Sequence, residues 1–277
     1  MKKNLILVLC LFLYFFNLLK DFEIEEKKNY HANDKNSYLE ELNIKMIKVE
    51  NGTFLMGNET GFKDEKPIHK VKINTFYISQ FEITQKIWKE VMGYNPSFFK
   101  GDSLPIESVS WDDIQKFLFK LNEKKKKNFR LPTEAEWQFA ARGGNKSQNY
   151  KYLGTSDSTQ LYRYVNFCDK NCKNLWAYKE QNDGYENTAP VGSFLPNELG
   201  LYDMVGNVWE FVEDKWHRNY NGAPTDGSAW VKSVNSSRVC CGGSYDFYAA
   251  YSYPSARYFS EQNKKHNDIG FRIASDN

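Results

Sequence analysis

The chain has 277 residues, 41% of them hydrophobic and 16% aromatic, enough to bury a core as one large domain or two small ones and too apolar for global disorder. A formal net charge of +2 gives no electrostatic reason to expect a nucleic-acid partner.

At the N-terminus, Lys2, Lys3 and Asn4 precede an apolar run from Leu5 to Leu19, broken only by Asn17, and a charged stretch follows from Lys20 to Lys28. A basic start and a short apolar run are the pattern of an export signal. The run falls short of the ~20 residues of a membrane span. No small-residue cleavage site stands out, so residues 1–19 read as a signal or as an uncleaved anchor. Membrane contact is expected only through that anchor. Too little apolar sequence precedes Cys10 for it to carry a lipid. Both readings export the domain, to the periplasm, the cell envelope or the medium. Residues 20–42 read as a polar linker and 43–277 as the folded domain.

Met46–Val49, Thr53–Met56 and Lys70–Ile78 predict short strands punctuated by Gly52 and Gly57. Thr84 can cap a helix that runs to Met92 and stops at Gly93. Ser110 opens a second, with Trp111, Ile114, Phe117, Leu118 and Leu121 on one apolar face. The basic run Lys124 to Lys127 reads as a solvated turn. Thr133-Glu-Ala-Glu136 forms a capping box for a third helix, through Arg142 to Gly143-Gly144. Beyond Gly144 periodicity is scarce, with brief strand candidates at Val208–Val212, Arg238–Tyr245 and Gly270–Ala274. So long an irregular stretch needs support from disulfides, bound ions or buried aromatics.

In an exported chain Cys168 and Cys172 can close a small loop. They make a poor zinc site without companion ligands. Neighbouring strand residues face opposite ways. Cys240 and Cys241 should therefore not bond each other, one being expected buried and the other exposed or reactive.

Eight phrases in order carry a resemblance. They are Asn51-Gly-Thr-Phe-Leu-Met-Gly57, Pro105-Ile-Glu-Ser-Val-Ser-Trp111, Arg130-Leu-Pro-Thr-Glu-Ala-Glu-Trp137, Ala140-Ala-Arg-Gly-Gly144, Thr188-Ala-Pro-Val-Gly192, Gly200-Leu-Tyr-Asp-Met-Val-Gly-Asn-Val-Trp-Glu210, Gly242-Gly-Ser-Tyr245 and Ile269-Gly-Phe-Arg272. Across residues 44–275 the chain resembles the formylglycine-generating enzyme, or sulfatase-modifying factor, family. The resemblance implies an α+β, C-type-lectin-like fold with little regular secondary structure, few helices and short antiparallel strands.

It also implies two calcium sites. In one, Asn166 and Asp183 would act through side chains and Phe167 and Tyr185 through carbonyls. In the other, Asp203 and Glu210 would act with the carbonyls of Gly206 and Val208. Oxygen ligands of these kinds suit hard calcium. On spacing alone, Asp183 and Asp203 read as turn residues and Glu210 as an exposed strand position.

Active members of the family bind copper(I) through two cysteines after the Gly-Gly-Ser phrase, soft thiolates for a soft ion. Those positions here are Phe247 and Ser252, so copper is not expected. Ser244 is kept, but has no redox capability alone. His31, His69, His217 and His266 are too scattered for the His-rich metal motif of the iron-dependent relatives. What remains is a tyrosine- and small-residue-rich patch, a binding-surface composition. It resembles the ligand face of the retroelement-diversified variable proteins. Asp246, Phe247, Tyr248, Tyr251, Tyr253 and Tyr258 are the candidate contacts, for a protein or small-molecule ligand. The rival reading is an oxidoreductase acting on a protein cysteine through an atypical site, with Ser244 and Cys241 contributing. A purely structural envelope protein is a third.

Overall fold

Residue 42 and residues 44–276 are described by a computed structural model. The expected signal or anchor over residues 1–19 and the expected linker, apart from Leu42, lie outside the described residues.

Local sequence rules set the helix boundaries. Thr84 Oγ1 accepts the Ile87 N–H at 3.3 Å, opening α1 (Gln85–Met92), and Gly93 closes it with φ +87°. A capping box of Ser110 and Asp113 opens α2 (Trp111–Lys125), which buries Ile114, Phe117, Leu118 and Leu121. The basic run divides between the end of α2 and the turn after it. Lys126 closes the helix in the left-handed region. Thr133 and Glu136 box the start of α3 (Glu134–Ala141), every residue of which is buried.

Among the described residues, nine short strands accompany the helices. Strands β1 (Met46–Val49) and β9 (Ala274–Ser275) flank β4 (Phe76–Ser79) in one antiparallel sheet. Strands β2 (Gly52–Met56) and β3 (His69–Ile73) form an antiparallel hairpin. The third sheet has the order β7-β6-β5-β8, from Arg257–Glu261, Ser237–Cys241, Trp209–Lys215 and Ile269–Gly270. Its β5–β8 pair is parallel. The single strand expected over 70–78 is two, broken at Asn74-Thr75, and that expected over 238–245 stops at Gly242, which turns with φ +99°. Residues 270–274 hold the end of β8 and the start of β9, not one strand. Strand β7 was not foreseen.

α3 packs on β2, β3, β5 and β6, so the core lies where this helix meets two sheets, around Trp137, Phe139 and Val239. The irregular stretch after it is held by side chains that bond backbone. Asn197 Nδ2 donates to the carbonyls of Ala140 and Ala141 at 2.8 and 3.2 Å, satisfying the end of α3, while its Oδ1 accepts from Leu199 and Leu201. A Cys168–Cys172 disulfide ties another part of this stretch.

Candidate functional site

The residues suggested as a first metal set lie together. Asp183 sits between the other members, accepting from Phe167 N–H at 3.0 Å and Tyr185 N–H at 2.8 Å. Its own N–H donates to the buried Asp169 carboxylate. Burial, with Asp169 adding repulsion, lifts the Asp183 carboxyl to about 7. Asn166 is 1% exposed, and its Oδ1 is buried without a hydrogen-bond partner.

The second set is only partly as expected. Asp203 is buried with φ +54°. Its Oδ2 accepts the Gly192 N–H at 2.6 Å and its Oδ1 has no partner. Burial raises it to about 6, against the hydrogen bond from Gly192. Glu210 is buried rather than an exposed strand position, and both its oxygens are engaged by Arg272, with Trp137 Nε1 donating to Oε2 at 2.6 Å. Glu82 faces the set instead, accepting from Asn207 Nδ2 at 2.8 Å and Val208 N–H at 3.3 Å. Burial, then Asp203 and Glu210, push its carboxyl well up. The sequence reading missed Glu82 because it lies over a hundred residues upstream, with no spacing to tie it to Asp203.

Asn207 joins the two sets, since Asn166 Nδ2 donates to its Oδ1 at 3.2 Å. Gly206 lets the two segments close, because a Cβ there would stand 2.3 Å from the Asn166 carbonyl oxygen. Three buried carboxylates (Glu82, Asp203 and Glu210) thus share one guanidinium, Arg272, with two orphaned acceptor oxygens beside them. Carboxylate and amide oxygens of this kind, two of them without a partner, suit a hard cation.

At positions 247 and 252, where the resemblance places the family's copper cysteines, stand a packed ring and a buried serine. The Phe247 ring stands edge-on to Trp209, Tyr251 and Tyr258 at centroid distances of 5.1, 5.3 and 5.3 Å. Ser252 is buried, and the Ser244 hydroxyl donates to Asp268 at 3.3 Å. Cys240 and Cys241 are both buried, which corrects the expectation that one is exposed or reactive. They lie on β6, inside its sheet, and every residue of that strand is buried. Burial first, then nearby carboxylates, push both thiols well up, so thiolate is disfavoured.

Residues 33–277 match the family described as "Sulfatase-modifying factor enzyme 1-like domain". The chain belongs to this family. Among the members it is similar to, "Chaperone protein LppX" of Paenibacillus barcinonensis is 33% identical over 73% of this chain and 84% of its own length. "Formylglycine-generating enzyme" of Mus musculus is 31% identical over 68% of this chain, which spans only 49% of that enzyme. "Inactive C-alpha-formylglycine-generating enzyme 2" of Bos taurus is 26% identical over 70% of this chain and 79% of its own. In structure the chain is similar to PvdO from Pseudomonas aeruginosa, at a TM-score of 0.73 and 27% identity over 86% of this chain and 96% of that one. It is equally similar to Treponema denticola variable protein 1, at 0.73 and 26% over 84% and 95%. The α+β fold expected from the phrases is the fold found.

On this sulfatase-modifying-factor frame the candidate ligand residues divide. Tyr248 is 46% exposed, and Asp246, Phe247, Tyr251, Tyr253 and Tyr258 are half-buried. Buried Trp209 is the floor, with Tyr258 stacked on it at 5.4 Å. Two rings absent from the sequence reading extend the face: Trp176 stacks on Tyr248 at 5.3 Å and Phe62 on Tyr251 at 4.8 Å. The disulfide loop brings Trp176 in, as Cys168 N–H donates to the Phe247 carbonyl and Trp176 Nε1 to that of Asp246, at 3.1 and 3.0 Å. Asp246 contacts Asn174 with its carboxylate and so anchors that loop. Tyr253 turns away, donating to Glu65 at 3.0 Å. The isolated aromatics of residues 145–200 were the available signal, but nothing in sequence says which segment they meet.

Proposed function

We propose that this domain is an exported, calcium-stabilised binding module that holds a polypeptide partner on its aromatic face and does not generate formylglycine. The observation that carries the reading is Phe247, whose ring fills a copper-cysteine position as part of a packed cluster surfaced by Tyr248 and Trp176. Exposed stacked rings offer large contact area at little entropic cost. Relatives named as a chaperone and as an inactive member of the family support binding over oxidation. Calcium would be held by Asp203, Glu82 and the carbonyls of Gly206 and Val208 on one side, and by Asn166, Asp183 and the carbonyls of Phe167 and Tyr185 on the other. It would neutralise charge that Arg272 alone does not. Export is supported by the apolar run 5–19 and by the Cys168–Cys172 bond.

The test has two arms. Copper(I), oxygen and a Cys-x-Pro-x-Arg peptide should leave the peptide cysteine unchanged; aldehyde formation would overturn the reading. The domain should suppress aggregation of reduced α-lactalbumin, and a Tyr248→Ala/Trp176→Ala double variant should lose that effect while keeping its Tm. Suppression unchanged in a folded double variant would mean that the face is not used.

A further inference from the structure

Beside the aromatic face lies a cavity of about 580 Å³ whose lining includes Asn58, Arg142, Asn149, Tyr150, Lys151 and Tyr253. Among the described residues its walls have two cationic side chains and no Asp or Glu. Arg130, Arg257 and Arg272 each pair with a carboxylate; Arg142 pairs with none among the described residues. One Arg142 Nη donates to the Gly57 carbonyl at 2.9 Å, and its Nε is buried with no acceptor. A half-buried guanidinium with an unused donor is costly unless something supplies the missing acceptor.

Lys151 is equally without a carboxylate, its Nζ lying 4.9 Å from the centroid of the Tyr152 ring. The acid that acts on Arg142 electrostatically is Glu65. Its Oε1 is taken by the Phe62 N–H and the Tyr253 hydroxyl, its Oε2 is buried without a partner, and burial raises its pKa. The cavity is therefore a positive hollow with hydrogen-bonding and aromatic walls. It is also continuous with the face already described. Gly61, which precedes Phe62, and Ala250 and Tyr253, on either side of Tyr251, line it, so the cavity borders the segments that carry the Phe62–Tyr251 stack.

We propose that this cavity is an anion subsite, in which Arg142 and Lys151 receive a carboxylate of the ligand whose apolar part lies on the aromatic face. A guanidinium edge matches a carboxylate in geometry as well as charge, and a flexible lysine at the rim completes the pair. The proposal rests on the binding reading above and narrows it to partners with an acidic residue next to an aromatic or aliphatic one.

Two peptides that differ only in the acid test it: acetyl-Trp-Glu-amide and acetyl-Trp-Gln-amide, titrated into the full domain at low salt. The glutamate peptide should bind about tenfold more tightly or better, and shift the Arg142 Nε–H resonance where the glutamine peptide does not. Lys151 is exposed, so Lys151→Gln should fold and should lose most of the preference. Added salt should erode it. Competition by glucuronate but not glucose would keep the carboxylate site and assign its source to a sugar acid. Equal binding of both peptides, abolished by Tyr248→Ala, would overturn the subsite and leave the aromatic face standing. Binding of neither peptide would overturn both.

Discussion

Arg272 and Glu210 form a bidentate ion pair with side chains 0% and 1% exposed: Nε lies 2.7 Å from Oε2 and Nη2 2.7 Å from Oε1. The same guanidinium donates to the carbonyls of Ser79 and Tyr202, at 3.1 and 2.9 Å. It thereby ties β4, the loop before β5, and β5 itself to the C-terminal segment. The Trp-Glu and Gly-Phe-Arg phrases meet in this pair, so their first role is to close the fold.

Removing one partner of such a pair strands a buried charge. Arg272→Met should therefore cost on the order of 3–5 kcal/mol, read by urea unfolding with calcium present. The stranded Glu210 would add to the charge of Glu82 and Asp203, so calcium should rescue part of the loss. A change below about 1 kcal/mol would show that the pair is not needed to close the fold.

Asp214 gives a pH dependence of definite sign. It accepts the N–H groups of Glu134 and Trp230 at 2.8 and 2.7 Å, and burial followed by repulsion from Glu134 lifts it to about 7. A carboxyl raised on folding binds more protons folded than unfolded between its two pKa values. Its contribution is complete below an ordinary aspartate pKa of ~3.9 and is lost as the pH rises through about 7. The stability difference between wild type and Asp214→Asn should thus shift against wild type from pH 4 to pH 8, by on the order of 3–4 kcal/mol. Parallel stability curves would refute the assignment.

Calcium should raise the Tm of the purified domain, and a chelator should lower it. At a hundredfold excess over Kd the stabilisation is about 2.7 kcal/mol. Glu82→Gln and Asp203→Asn, which each keep an oxygen ligand but remove a negative charge, should both move the response to higher calcium. An unchanged wild-type melting curve with and without calcium would remove the metal assignment.

Elements whose signal is local were legible in the sequence. The caps at Thr84, Ser110 and Thr133 act within one helical turn, and all three start helices where expected. The phrases gave the family. What failed depended on partners far along the chain. Strand β7 hid inside an aromatic-rich stretch because only pairing with β6 makes it a strand. Asn74-Thr75 looked like strand interior, although the chain there leaves the hairpin for another sheet.

The sequence by itself determined that Phe247 and Ser252 cannot replace a thiolate pair, since this follows from side-chain chemistry alone. It also determined that the rings from Phe247 to Phe259 could not all be buried by one sheet, because strand neighbours face opposite ways. Only the tertiary structure decided which rings face water and which far segments join them. Trp176 and Phe62 reach the face through a disulfide loop and through the turn after β2. It also buried every residue of β6, Cys240 and Cys241 included, so that alternation there no longer separates inside from outside. Burial is set by what packs on a segment, and here much of that comes from distant parts of the chain.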